Sequence, residues 1–198
     1  MAVTPNYSWP VPVNTDYVKD GAEALKDLGD AIDATVFGLP SGALALVKTQ
    51  VIGTAVTSVN VTSAFSATYP AYKIFISGGV CSASSTLAVK LGNSTTQYYV
   101  AGLFIDFTGS TNAATTNNGA SFLNIGRGDG TILNLQFELI DPNNASYTKI
   151  FGSRNANDAN TVYGGIHEVS TAYTDFTITV STGTMTGGTI YVYGYAGS

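Results

Sequence analysis

Charge, cysteine and histidine are all scarce in this chain. Only 11% of its 198 residues are charged, against roughly a quarter in an ordinary globular protein. The single cysteine, Cys81, excludes a disulfide framework within the chain. With one histidine beside it, His167, soft ligands are too few for a zinc centre. No Asp-x-Asp spacing suggests a calcium loop, and no motif calls for a cofactor, so neither metal nor cofactor is expected. No apolar run approaches the roughly 18 residues of a membrane span. The opening Met1-Ala2-Val3-Thr4-Pro5 has neither a basic nor an apolar signal region, so no secretory route is expected. The net charge of −5 argues against a nucleic-acid partner.

Catalytic groups are equally thin. His167 stands beside Glu168 in a strand-like stretch, with no nucleophile and orienting group marked by spacing. The acids after residue 40 are Asp106, Asp129, Glu138, Asp141, Asp158, Glu168 and Asp175, and none forms a recognisable glycosidase pair. A non-enzymatic protein is expected, with glycan depolymerase as a distant alternative. Arg127-Gly128-Asp129 spells an adhesive tripeptide, but a hairpin turn accounts for it. The sequons at Asn6, Asn60, Asn93 and Asn144 carry little weight without secretion.

The residues that are present fall into two kinds of sequence. Residues 1–15 form an aromatic-proline leader, with Tyr7, Trp9, Pro10 and Pro12 expected to run extended and anchor into a partner, since Pro pre-sets such a backbone. Residues 16–38 read as one acidic helix. Asn14, Thr15 and Asp16 suit its N-terminus, and Gly38-Leu39-Pro40 stops it. Val18, Ala22, Leu25, Gly29, Ile32 and Val36 recur in steps of four and three, a short heptad seam. Leu28 and Ala31 widen it. Three readings follow: the helix lies on its own β domain, it self-associates as the stem of an oligomer, or it orders only on a larger partner.

Residues 41–198 read as an all-β head. Seven acids and six bases leave it nearly neutral, on a surface rich in Gly, Asn, Thr and Ser. Apolar positions alternate at Tyr72/Ile74/Ile76, Leu87/Val89/Leu91, Leu133/Leu135/Phe137/Leu139, Phe176/Ile178/Val180 and Ile190/Val192. Further strands are expected within 43–52, 57–65, 97–104, 120–125, 146–152 and 160–169. About ten strands without helical crossovers predict a mainly β fold: an antiparallel, jelly-roll-like β-sandwich preceded by one N-terminal α-helix. Tyr191, Tyr193 and Tyr195 should share the outer face of the last strand, as plain cover of the sheet surface, an oligomer contact or a glycan-stacking strip. Residues 106–119 and 153–160 read as the longest loops, which makes Asn112, Asn117, Asn118, Asn155 and Asn157 candidate receptor-binding residues.

The segment Pro5 to Asp33, above all the phrase from Asp16 to Asp33, resembles the N-terminal part of tailed-bacteriophage minor tail and tail-fibre proteins. Phe65-Ser66-Ala67-Thr68-Tyr69 with Tyr72-Lys73-Ile74, and the ending Gly187 to Tyr195, are similar to sandwich heads of the same proteins. The resemblance implies a virion protein assembled in the host cytoplasm, a homotrimer docked on another tail or capsid protein by its N-terminus. Its β head would face a host-surface glycan, and no catalytic residues are implied. A capsid fibre or decoration protein with a purely structural role is the alternative.

Overall fold

The computed structural model describes residues 2–13, 17–38, 44–110, 112–120, 123–128, 130, 133, 135–155 and 159–196. The chain divides into two units, Met1–Ser41 and Gly42–Ser198.

In the first unit the leader is not an extended arm. Strand β1 (Ala2–Val3) pairs antiparallel with β2 (Pro10–Val11). The turn between them is closed from one residue: the Thr4 carbonyl accepts from Ser8 N–H at 3.0 Å, and the Thr4 hydroxyl accepts from Trp9 N–H at 3.0 Å. Thr4 N–H donates in turn to the Trp9 carbonyl at 2.9 Å. Local hydrogen bonds of this kind outweigh the extended preference of two isolated prolines. A 3-10 turn (Val18–Asp20) then enters helix α1 (Gly21–Gly38). Tyr17 precedes the turn and makes no side-chain cap. The capping residues expected at 14–16 lie outside the described residues.

The second unit is built on twelve longer strands and two short ones among the described residues. They are β3 (Leu44–Val51), β4 (Ser58–Val61), β5 (Ala71–Ser77), β6 (Val80–Cys81), β7 (Ser85–Leu91), β8 (Tyr98–Asp106), β9 (Asn112–Ala120) and β10 (Leu123–Gly128). There follow β11 (Leu135–Ile140), β12 (Thr148–Asn155), β13 (Ala159–His167), β14 (Phe176–Val180), β15 (Met185–Thr186) and β16 (Thr189–Tyr195). One sheet has eight strands in the order β3-β16-β5-β11-β12-β13-β8-β9, and the other has four, β10-β7-β14-β4. The strands β6 and β15 form a small separate ribbon. Every pairing is antiparallel.

The alternating apolar residues meet in one core. Tyr72, Ile74, Ile76, Leu135, Phe137, Leu139, Ile190 and Val192 from the large sheet cluster with Leu87, Val89, Leu91, Phe176 and Ile178 from the small one. Phe137 meets Phe176 edge to face across the two layers, with ring centroids 6.3 Å apart. Full burial of such side chains stabilises the fold by roughly 1.5–3 kcal/mol each.

Most of the described residues in the two expected loops lie in strands. Asn112, Asn117 and Asn118 lie on β9, paired with β8 in register from Tyr98↔Ala120 to Ile105↔Asn112. The hairpin turn is set by Asp106, whose carboxylate accepts from Thr108 Oγ1 at 2.7 Å and Ser110 N–H at 3.0 Å, and by Gly109 at φ 72°. Asn155 is the last residue of β12, and Asn157 lies outside the described residues. Arg127 and Gly128 end strand β10 rather than occupying a hairpin turn, and the Arg127 guanidinium donates to the Ser84 hydroxyl.

Candidate functional site

The helix presents two stripes of different fate. Gly21, Ala24, Leu28, Ala31 and Thr35 recur in steps of three and four, and Ala24 is buried while the others are half-buried. This is the leader's side. The Trp9 indole N–H donates to Thr35 Oγ1 at 2.8 Å, and that hydroxyl donates on to the Ala31 carbonyl at 2.8 Å. Tyr7 stacks on Trp9 with centroids 5.2 Å apart. Of the four expected anchor residues, Trp9 is therefore engaged within its own unit and Pro10 lies in β2, while Tyr7 and Pro12 remain exposed.

The heptad seam is the neighbouring stripe, and nothing among the described residues of its own unit covers it. Val18 is 98% exposed, Leu25 63% and Val36 58%. Ala22 and Gly29 are exposed as well, and Ile32 is half-buried. A Cβ added at Gly29 would meet nothing within 4 Å. Lys26 and Asp30 pair beside the seam at 2.5 Å, fully in solvent, which raises the Lys26 pKa through the hydrogen bond and charge of Asp30.

In the second unit the three tyrosines do share one face. Ile190 and Val192 are buried, while Tyr191, Tyr193 and Tyr195 are half-buried on the outer side of the large sheet. Tyr193 sits edge-on to Phe75 at 6.1 Å. The Tyr195 hydroxyl donates to Glu138 at 2.6 Å, and burial, then that carboxylate, push its pKa up to about 12. Glu138 also faces Lys73 at 3.5 Å. The same outer face continues over β12, β13 and β8 with Phe151, Val162, Leu103 and Ile105, all exposed. Phe151 is the most open, at 62%.

His167 closes β13 and is fully buried. Its ring stacks on Tyr98 at 4.0 Å and 14°, with Nδ1 3.3 Å from the Gln97 carbonyl and Nε2 2.8 Å from the Tyr173 hydroxyl. A carbonyl only accepts, so Nδ1 carries the proton and Nε2 accepts from Tyr173. Burial lowers the His167 pKa. The histidine serves packing between β13 and the segment before β14. Among the described residues no group of three or more His, Cys, Asp or Glu is arranged to hold a metal ion, and no helix is long and apolar enough to cross a membrane.

Sequence reasoning missed one cleft, formed where the connection 62–70 meets the connection 141–147. Its signal was present in the strand glycine Gly194, since glycine inside a strand often marks close approach by another group. A Cβ at Gly194 would fall inside the ring of Tyr69, which lines that cleft. Comparison with protein-family models found no match for the chain, and neither did comparison with curated proteins.

Proposed function

We propose that the chain is a virion structural subunit of a tailed bacteriophage, a fibre-like homotrimer joined through its helix and presenting the β unit to a host surface. The observation that carries this reading is the uncovered heptad seam. An 18-residue helix is marginal alone in water. The leader hairpin covers one stripe and leaves Val18, Ala22, Leu25, Ile32 and Val36 as an adjacent second one. A stripe of that period is buried most economically against copies of itself. Tyr7 and Pro12, still exposed on the leader, remain available for docking to another tail or capsid protein. The subunit has a structural and attachment role rather than a catalytic one.

The head is best read as a jelly roll with two insertions. Setting aside the hairpins β8–β9 and β12–β13 and the short ribbon leaves eight strands, β3, β4, β5, β7, β10, β11, β14 and β16. Numbered one to eight, the first pairs with the eighth, the second with the seventh, the third with the sixth and the fourth with the fifth. That nesting is a long hairpin rolled on itself, an architecture frequent in viral capsid and lectin domains.

The test is the native mass of the full chain beside residues 42–198, by light scattering after size exclusion. A three-chain mass that dissociates on truncation is the expected result. Single-chain masses for both would overturn the stem. Immunolabelling of virions then separates a tail fibre from a capsid decoration.

A further inference from the structure

At one end of the β unit two connections are tied together through their backbones. Asp141 N–H donates to the Pro70 carbonyl at 2.8 Å. The buried Tyr72 hydroxyl accepts from Ser66 N–H at 2.6 Å and donates to the Ser66 carbonyl at 2.8 Å. On the other side Asn144 N–H donates to the Asp141 carbonyl at 3.2 Å, and the Asn143 amide donates to the Tyr173 carbonyl at 2.7 Å. The cleft between the two connections encloses about 290 Å³ and is lined by Ser66, Tyr69, Asp141, Asn143 and Asn144. It lies at the small end of ligand clefts, which start near roughly 300 Å³.

Three features mark this cleft as built for a ligand. The structural bonds of the two connections run largely through backbone atoms, so polar side chains are left over. Those of Asp141 and Asn144 take part in no hydrogen bond or ion pair among the described residues. Asp141 is held at φ 58°, a left-handed conformation that costs an L-residue on the order of 1 kcal/mol and that Gly would adopt freely. Asp is among the L-residues that tolerate this region best, so the turn accommodates the carboxylate at the cleft without requiring Gly. The third feature is Tyr69. Its ring lies against the Gly194 backbone and edge-on to Tyr72 at 5.9 Å, so an aromatic surface is fixed at the cleft wall.

The lining selects a chemical class. Among the described residues that line the cleft there is no Lys, Arg or His to face the Asp141 carboxylate, which disfavours anionic ligands. A lining of carboxylate, amides, a hydroxyl and one ring does not suit a purely apolar ligand. A ligand that fits offers hydroxyl donors to the carboxylate, acceptors to the amides and a C–H face to the ring. We infer that this cleft binds a single neutral saccharide ring, with Asp141 accepting from its hydroxyls, Asn143 and Asn144 completing the polar contacts and Tyr69 packing on its apolar face. The inference deepens the attachment reading and rests on it only for the sugar's source, a host-surface glycan.

The test is an amide-shift titration of the ¹⁵N-labelled full chain with glucose, galactose, mannose and N-acetylglucosamine, and with glucuronate as the anionic comparison. At least one neutral sugar should move the amides of Ser66, Tyr69, Asn143 and Asn144, saturating with a Kd of about 1 mM, as befits one ring. Glucuronate should not. Asp141→Gly relieves the backbone, so it should fold at least as well as the parent while weakening the binding about tenfold or more. Silence from all four neutral sugars, shifts clustered on another surface, equal binding of glucuronate, or full binding by Asp141→Gly would each overturn the assignment. None of these outcomes alters the native mass, so failure of the cleft and failure of the trimeric stem are read separately.

Discussion

Burial sets the protonation of His167, and that makes one residue a reporter on the fold. Its folded pKa lies below the ordinary value of about 6.5, because desolvation penalises the charged ring more than the Gln97 carbonyl favours it. Between that lowered value and about pH 6.5 the unfolded chain binds a proton that the folded chain does not, so stability rises with pH there and is lost as pH falls. Protonation would also reverse the Nε2 bond, since Tyr173 would have to accept instead of donate. Thermal unfolding of the full chain should therefore move to lower temperature from about pH 7.5 to about pH 5.5, above the range where exposed carboxylates titrate. His167→Gln should flatten that slope, and equal slopes for parent and variant would remove His167 as its cause. From sequence His167 was legible as a strand residue, because its neighbours alternate. Its partners were not, since Gln97 is 70 residues away along the chain, and no local pattern encodes that distance.

Elements were legible where a face is buried. β5, β11, β14 and β16 each put alternate apolar residues into the core, so period two appears in the sequence. β9 is the opposite case. It is the edge strand of the large sheet, every residue from 112 to 119 whose burial is described is exposed, and it is held by backbone pairing to β8. With no face to bury, it carries no apolar period, and its Asn, Thr and Ala residues read as loop. The helix adds a second lesson, for its sequence shows one broad apolar stripe where the structure separates two. Trp9 is the only tryptophan and hydrogen-bonds to Thr35 on the first of them. Leu28→Ser, on the covered stripe, should free the leader hairpin and red-shift Trp9 emission. Leu25→Ser, on the seam, should leave that emission unchanged and lower the native mass of the full chain. Matching spectral shifts in both variants would show that the two stripes are not independent.

At the scale of the molecule, the hairpins β8–β9 and β12–β13 widen one sheet to eight strands, and its outer face carries exposed apolar side chains among polar ones. Nothing local announces this, because Phe151, Val162, Leu103 and Ile105 come from three strands that only the tertiary pairing brings side by side. With strands about 4.8 Å apart, eight of them span roughly 35 Å, and six residues of strand add about 20 Å in the other direction. The resulting face, about 700 Å², approaches the roughly 800 Å² per partner of a specific interface. Lys73 on this face is matched by Glu138, whereas Lys149, exposed on the same face, would bring like charges together between two copies and keep such a contact weak. If the helix joins copies as proposed, their heads should touch here, weakly enough that residues 42–198 associate only when concentrated. Val162 and Leu103 are register partners and both exposed, so glutamates at the two positions place like charges on the face without entering the core. In sedimentation, Val162→Glu with Leu103→Glu should keep residues 42–198 at single-chain mass at concentrations where the parent associates, with an unchanged circular dichroism spectrum. Association that survives the double substitution would move the contact elsewhere on the head, and a parent that stays single at every concentration would leave the helix as the whole of the interface.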